Sequence, residues 1–185
     1  MSLRSPVSRS RIEHFLQKLG DRYRRPVRLY LVGGTTLVFE GLRQQTLDID
    51  VVIEVAPEDQ AAFIQAVRDL KESLDLNVEE ASPGDFIPLP AGYADRHEFI
   101  GRFGQLDAFH FDLYSAALSK IERGRGQDFA DVLLLLESLR IDWNRLEGFF
   151  LEILPQMGTR SLRQDPLEFE RNFRALEIMW TERQP

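Results

Sequence analysis

The stretch from Tyr30 to Val55, YLVGGTTLVFEGLRQQTLDIDVVIEV, constrains the fold more than any other part of the chain. The run Arg28 to Val32 reads as a short buried strand, ended by two consecutive glycines, Gly33 and Gly34. Glycine has no β-carbon, so the chain can turn there and another group can approach its backbone closely. Thr35 to Leu42 then suits a short helix with Leu37, Val38 and Leu42 facing inward. The second strand, Asp48 to Val55, is rich in β-branched residues yet carries two carboxylates one residue apart. Side chains alternate along a strand, so Asp48 and Asp50 share a face with α-carbons about 6.6 Å apart, and Ile49 and Val51 turn to the core. Two carboxylates on one face repel unless a cation or a proton lies between them, and such oxygen ligands suit Mg2+, which in turn brings substrate phosphates. The amides that open the helix after the glycines offer an anion site, and Thr35 or Thr36 adds a hydroxyl. Each half is weak alone; in this order they describe a phosphoryl-transfer centre.

The flanking sequence fills in a frame around that centre. Ile12, Phe15, Leu16 and Leu19 fall at helical spacing within residues 9–23. Pro57, Glu58 and Asp59 suit the first turn of a helix that continues through Ala61 to Leu74. A strand near Asn77 to Ala81 precedes the proline-rich loop SPGDFIPLPAGYAD, and two further strands, about 96–103 and 105–112, meet at Gly104. From Leu113 the pattern is helical: about 113–122, 127–139, 143–154 and 166–181, the last capped by Asp165 ahead of Pro166. The expected fold is α+β, a small mixed β-sheet flanked by helices with a helical C-terminal portion. Residues 1–112 form the α/β core with its N-terminal helix, and 113–185 a helical portion packed on it.

Composition excludes several classes. With 43% hydrophobic and 29% charged residues over 185 positions, wholesale disorder is excluded. The longest apolar run, Val132 to Leu136, is far too short to span a membrane. The absence of cysteine removes disulfides, thiolate metal sites and a cysteine nucleophile, and fits a reducing cytosol. The opening MSLRSPVSRSR lacks the apolar centre of a secretory signal, so the expected location is cytoplasmic. His14, His97 and His110 are too scattered for a zinc centre. Through Arg28, eight basic and two acidic residues give +6, so the remainder sums to −13 to reach the net charge of −7. That basic segment reads either as a solvated helix face or as a patch for RNA phosphates.

The combination of strand, Gly-Gly-Thr, helix, Arg43, Thr46 and TLDIDV resembles the nucleotidyltransferase superfamily, in the small prokaryotic branch that includes abortive-infection type toxins and minimal nucleotidyltransferases. The branch motif Gly-Gly-Thr-x-Leu is matched by Gly33, Gly34, Thr35 and Leu37. The motif Arg-x-[Ser/Thr]-x-Asp-Ile-Asp-[Leu/Val] is matched by Thr46, Asp48 and Asp50, with Arg43 one residue farther upstream than the commonest spacing. The segment FDLYSAALSKIERGRGQDFADV resembles the later block of the same branch at Lys120, Arg123, Asp128 and Asp131. The resemblance implies Mg2+-dependent transfer of a nucleotidyl group from an NTP to RNA, such as tRNA, or to a protein acceptor, in a toxin–antitoxin-type component with a cognate partner. It implies that Asp48, Asp50 and Asp112 hold the metal, that Lys120 and Asp128 join them in catalysis, and that Gly33, Gly34, Thr35, Thr46 and Arg43 bind the nucleotide.

Several positions carry two readings. Asp112 would share a face with His110, whereas Asp107 shares one with Phe109 and Phe111, and this parity favours Asp112 as the third carboxylate; it also suits an N-cap for the helix from Leu113. Lys120 reads as a cation for a triphosphate or as a part-buried amphipathic side chain. Asp128 suits a cap for a helix beginning near Phe129, and Asp131 a partner for Arg125 or Arg123. His110 stays outside the site as a strand histidine. The alternative to an enzyme is a non-catalytic nucleotide-binding or interaction module that retains the fold.

Overall fold

Val27–Leu31 (β1) has four buried residues among five, the near-continuous apolar run of a strand covered on both sides. It is the middle strand of the sheet. Ile49–Val55 (β2) pairs with it antiparallel and Leu106–His110 (β5) pairs with it parallel. Val78–Glu80 (β3) lies parallel to β2, and Glu98–Phe103 (β4) lies antiparallel to β5. The order β3-β2-β1-β5-β4 is therefore a mixed five-stranded sheet, and with seven α-helices among the described residues the architecture is α+β as expected. The computed structural model describes residues 5–159 and 164–184.

One face of the sheet is covered by Arg9–Arg22 (α1), Gly33–Phe39 (α2) and Gln60–Ser73 (α3). Ile12, Phe15, Leu16 and Leu19 of α1 and Phe63 of α3 meet Leu29, Leu31, Ile49, Val51 and Ala108, all buried. Full burial of each large side chain contributes about 1.5–3 kcal/mol, so this layer holds the sheet together. The helix after the glycines begins at Gly33, two residues before the expected start, and stops at Phe39, where Glu40 is its C-cap and Gly41 follows with φ of 75°.

The chain divides into two units by its contacts. The first holds the described residues up to Ser82 together with His97–Phe111, which is the whole sheet and α1 to α3. The second holds Pro83–Arg96 and the described residues from Asp112 onward. It contains Leu113–Arg123 (α4), Gly126–Glu137 (α5), Trp143–Ile153 (α6) and Pro166–Thr181 (α7). Phe150, Phe169 and Phe173 are fully buried in it, with the Phe150 and Phe173 rings stacked at 3.9 Å. The proline-rich loop forms two short 3₁₀ turns, Pro83–Asp85 and Tyr93–Arg96, and belongs with these helices rather than with the sheet. Asp165 caps α7 by accepting from the amides of Leu167 and Glu168, with Pro166 in the first turn as the sequence suggests.

Candidate nucleotide site

At the end of β1, Val32 is extended and Gly33 adopts φ of 59°, a left-handed turn that an L-residue takes only with strain. A β-carbon on Gly33 would sit 2.7 Å from Asp50 Oδ2, and one on Gly34 would sit 2.8 Å from Thr46 Oγ1 and 3.1 Å from Arg43 Nη1. The two missing β-carbons are thus what allow a carboxylate, a hydroxyl and a guanidinium to lie against the same few backbone atoms. The Thr35 hydroxyl joins the motif halves: it accepts from the Asp50 amide at 2.8 Å and donates to the Asp48 carbonyl at 3.3 Å. Val32 donates to the Asp50 carbonyl at 3.1 Å, and Thr36 donates to the Leu31 carbonyl at 3.0 Å. The loop bearing Arg43 and Thr46 is pinned by a two-bond bridge between Val7 and Thr46.

The structure therefore brings Gly33, Gly34, Thr35, Arg43, Thr46 and Asp50 together, with Asp48 at the start of β2. Both aspartates are half-buried. Asp48 Oδ1 accepts from Asn77 Nδ2 at 2.7 Å, and the same amide donates to Glu79. Asn77 has no place in the motif and was invisible to it; its position just before β3 is fixed by strand pairing, Ile49 donating to the Asn77 carbonyl at 2.8 Å. Among the described residues, no group of three or more histidine, aspartate or glutamate side chains is gathered to hold a metal ion. Mg2+ needs no such cage, since it binds one or two carboxylates and takes the rest of its shell from phosphates and water. The donor chemistry of Asp48 and Asp50, beside a backbone cleared of β-carbons, fits that ion.

Asp112 lies in the second unit and is fully buried. It is the N-cap of α4, accepting from the amides of Tyr114 and Ser115 and from the Ser115 hydroxyl at 2.6 Å. Arg96 grips both of its oxygens at 3.0 Å and lies over the Phe149 ring. The parity that favoured Asp112 needs correction. Paired strand residues share a face, and His110 pairs with Leu31 on the helix-covered side, where its Nε2 is 2.8 Å from Glu40. Asp50 belongs to the opposite face with Val52 and Tyr30, whose partner on β5 is Phe109. On β5 that face carries Asp107, Phe109 and then Phe111. Asp107 is held by Arg102 in a two-bond pair at 2.6 and 2.9 Å, and that guanidinium keeps its carboxyl below the usual range.

Lys120 and Asp128 meet each other within the second unit. Lys120 Nζ is 2.6 Å from Asp131 and 3.4 Å from Asp128, and Arg123 is 2.6 Å from Asp128. Lys120, Asp128 and Asp131 are all buried. Helix α5 begins at Gly126, two residues before Asp128, so Asp128 stands in its first turn instead of capping it. Asp131 meets Lys120 of the preceding helix, a partner the sequence reading did not name.

The basic N-terminal segment is largely matched to acidic neighbours. Arg9 pairs with Glu13, Arg22 with Asp69, Arg25 with Asp59 and Arg28 with Glu54, while Arg11 donates to the Leu74 carbonyl at 2.8 Å. Among the described residues no helix is long and apolar enough to cross a membrane. A protein-family model described as a nucleotidyltransferase of unknown function (DUF6036) matches residues 10–182, and the chain belongs to that family. No curated protein and no solved structure matches the chain.

Proposed function

We propose that this member of a nucleotidyltransferase family transfers a nucleotidyl group from an NTP, with Asp48 and Asp50 as the carboxylates that hold Mg2+. The observation that carries the reading is the Thr35 hydroxyl, which locks the glycine turn to the backbones of both aspartates. Bound there, Mg2+ would supply charge stabilisation at the reacting phosphate. The chain's own groups do the positioning. Gly33 and Gly34 leave room for phosphate oxygens at the opening of α2, Thr46 offers a hydroxyl, and Arg43 beside Gly34 offers a fixed cation suited to phosphate. An acceptor hydroxyl, on RNA or on a protein side chain, attacks the α-phosphorus; the bond to the bridging oxygen breaks, pyrophosphate leaves and the hydroxyl proton passes to solvent.

A second reading, a nucleotide-binding module that does not transfer, is favoured by one observation. Asp112, the third carboxylate of the resemblance, is committed to Arg96, Ser115 and the α4 amides. The test is incubation with each α-labelled NTP, Mg2+ and total RNA or cell extract, beside an Asp48→Ala/Asp50→Ala variant. Label should reach an acceptor with the natural chain and fall by at least about a hundredfold in the variant, since several kcal/mol of metal stabilisation is lost. Equal labelling by the variant overturns the metal assignment, and Mg2+-dependent NTP binding without label transfer supports the module.

A further inference from the structure

The sheet face that carries Asp50 also carries a row of aromatic rings. Val52, Tyr30, Phe109 and Phe99 stand level across β2, β1, β5 and β4. Tyr30 and Phe109 are stacked at 5.4 Å, and Phe99 meets Phe109 edge-on at 5.3 Å. Tyr30 is buried, whereas Phe99 is 60% exposed. A single exposed phenylalanine is ordinary, but this one is placed by a device. Opposite β5, the register of β4 shifts between Phe99 and Gly101. Without that bulge Ile100 would oppose Phe109, and Phe99 would turn to the helix-covered side. With it, Ile100 packs against the core and Phe99 joins the aromatic row. Bulges that re-aim one side chain recur beside functional sites.

The neighbouring row holds Arg28 and Arg102, with side chains 57% and 69% exposed, each paired with a carboxylate of the same row, Glu54 and Asp107. An exposed ring on a sheet face, beside guanidinium groups, is an arrangement on which single-stranded nucleic acid stacks a base. Strand spacing and rise put the Phe99 α-carbon about 16 Å from that of Asp50. That span exceeds the arm between the α-phosphorus and the base of one nucleotide. It suits a base of the acceptor strand, a residue or two from its reacting hydroxyl. We propose that Phe99, steadied by Phe109, is a stacking platform for a base of a single-stranded nucleic acid acceptor. The choice of an acceptor strand rests on the nucleotidyl-transfer reading.

The test uses the full chain, a fluorescent single-stranded RNA octamer read by anisotropy at low salt, and Mg2+-NTP binding read by calorimetry. Phe99→Ala should weaken octamer binding by about five- to 150-fold, the range of one lost base stack, while NTP affinity stays unchanged. Phe99→Trp should restore octamer binding. The proposal is overturned if the natural chain does not bind the octamer, if Phe99→Ala binds it equally well, or if NTP binding falls in parallel, which would give the ring to the substrate base. Octamer binding that depends on Phe99 in a chain with no Mg2+-dependent NTP binding would keep the platform and remove the transfer reading.

Discussion

The two motif blocks of this chain, Gly33 to Asp50 and Lys120 to Asp131, each carry two closely spaced aspartates downstream of an arginine and differ in physical state. In the first, charges are half-buried and the geometry is held by backbone and hydroxyl bonds. In the second, the charges themselves are the structure: Lys120, Asp128 and Asp131 are buried and paired across α4 and α5, with only Asp128 Oδ2 left without a hydrogen bond among these carboxylate oxygens. A half-exposed carboxylate can exchange water for a cation at little cost to the fold. A buried charge cannot lose its partner so easily, because an unpaired ion in a low-dielectric interior is strongly disfavoured. The same residue types therefore suit ligand exchange in one block and cohesion in the other.

The sharpest way to break this contrast is Lys120→Met. It leaves two buried carboxylates without their lysine and should cost about 3–5 kcal/mol in urea unfolding, with Asp48→Ala/Asp50→Ala costing less. A Lys120→Met chain that unfolds like the natural one but has lost transfer would return Lys120 to the catalytic role of the family resemblance. Next in size is Gly33→Ala, expected to cost about 1–3 kcal/mol because it combines φ of 59° with a β-carbon 2.7 Å from Asp50 Oδ2. Combining it with Asp50→Ala should recover the part due to the clash, read as non-additivity in the double variant.

The smallest effect lies farther along the Asp50 face, where Tyr30 donates to Glu54 at 2.5 Å. Burial, then the Glu54 bond, pushes the phenol from 10.0 up to about 12. A raised folded value means that this contribution is complete below pH 10 and is lost as pH rises through about 12. The natural chain should therefore lose urea resistance over that window relative to Tyr30→Phe. Parallel pH profiles for the two would show that the phenol is not selectively stabilised.

Much of this was legible in the sequence where local chemistry dictates structure. Two glycines after an apolar run, β-branched residues around the aspartates, and Asp165 ahead of Pro166 each act within a few residues, and the corresponding elements lie close to where they were expected. What the sequence did not show depended on partners distant in sequence. The face of His110 is decided by its pairing with Leu31, and alternation alone cannot say which parity meets the helices. Asp131 finds Lys120 because α4 and α5 pack, and Asn77 reaches Asp48 only through strand pairing. The bulge that turns Phe99 outward has no local marker either, since Gly101 alone fits an unbroken strand as well.

The interleaving of the two units bears on synthesis. β1 waits for β5, which emerges only after Pro83–Arg96 of the other unit has passed. Until then the nascent sheet has β3, β2 and β1, and its most apolar strand stands as an unpaired edge. A chain arrested after Ser82 would hold the whole glycine-aspartate motif and still offer that edge to its copies. Solubility therefore depends on residues 98–110, whether or not they take part in chemistry.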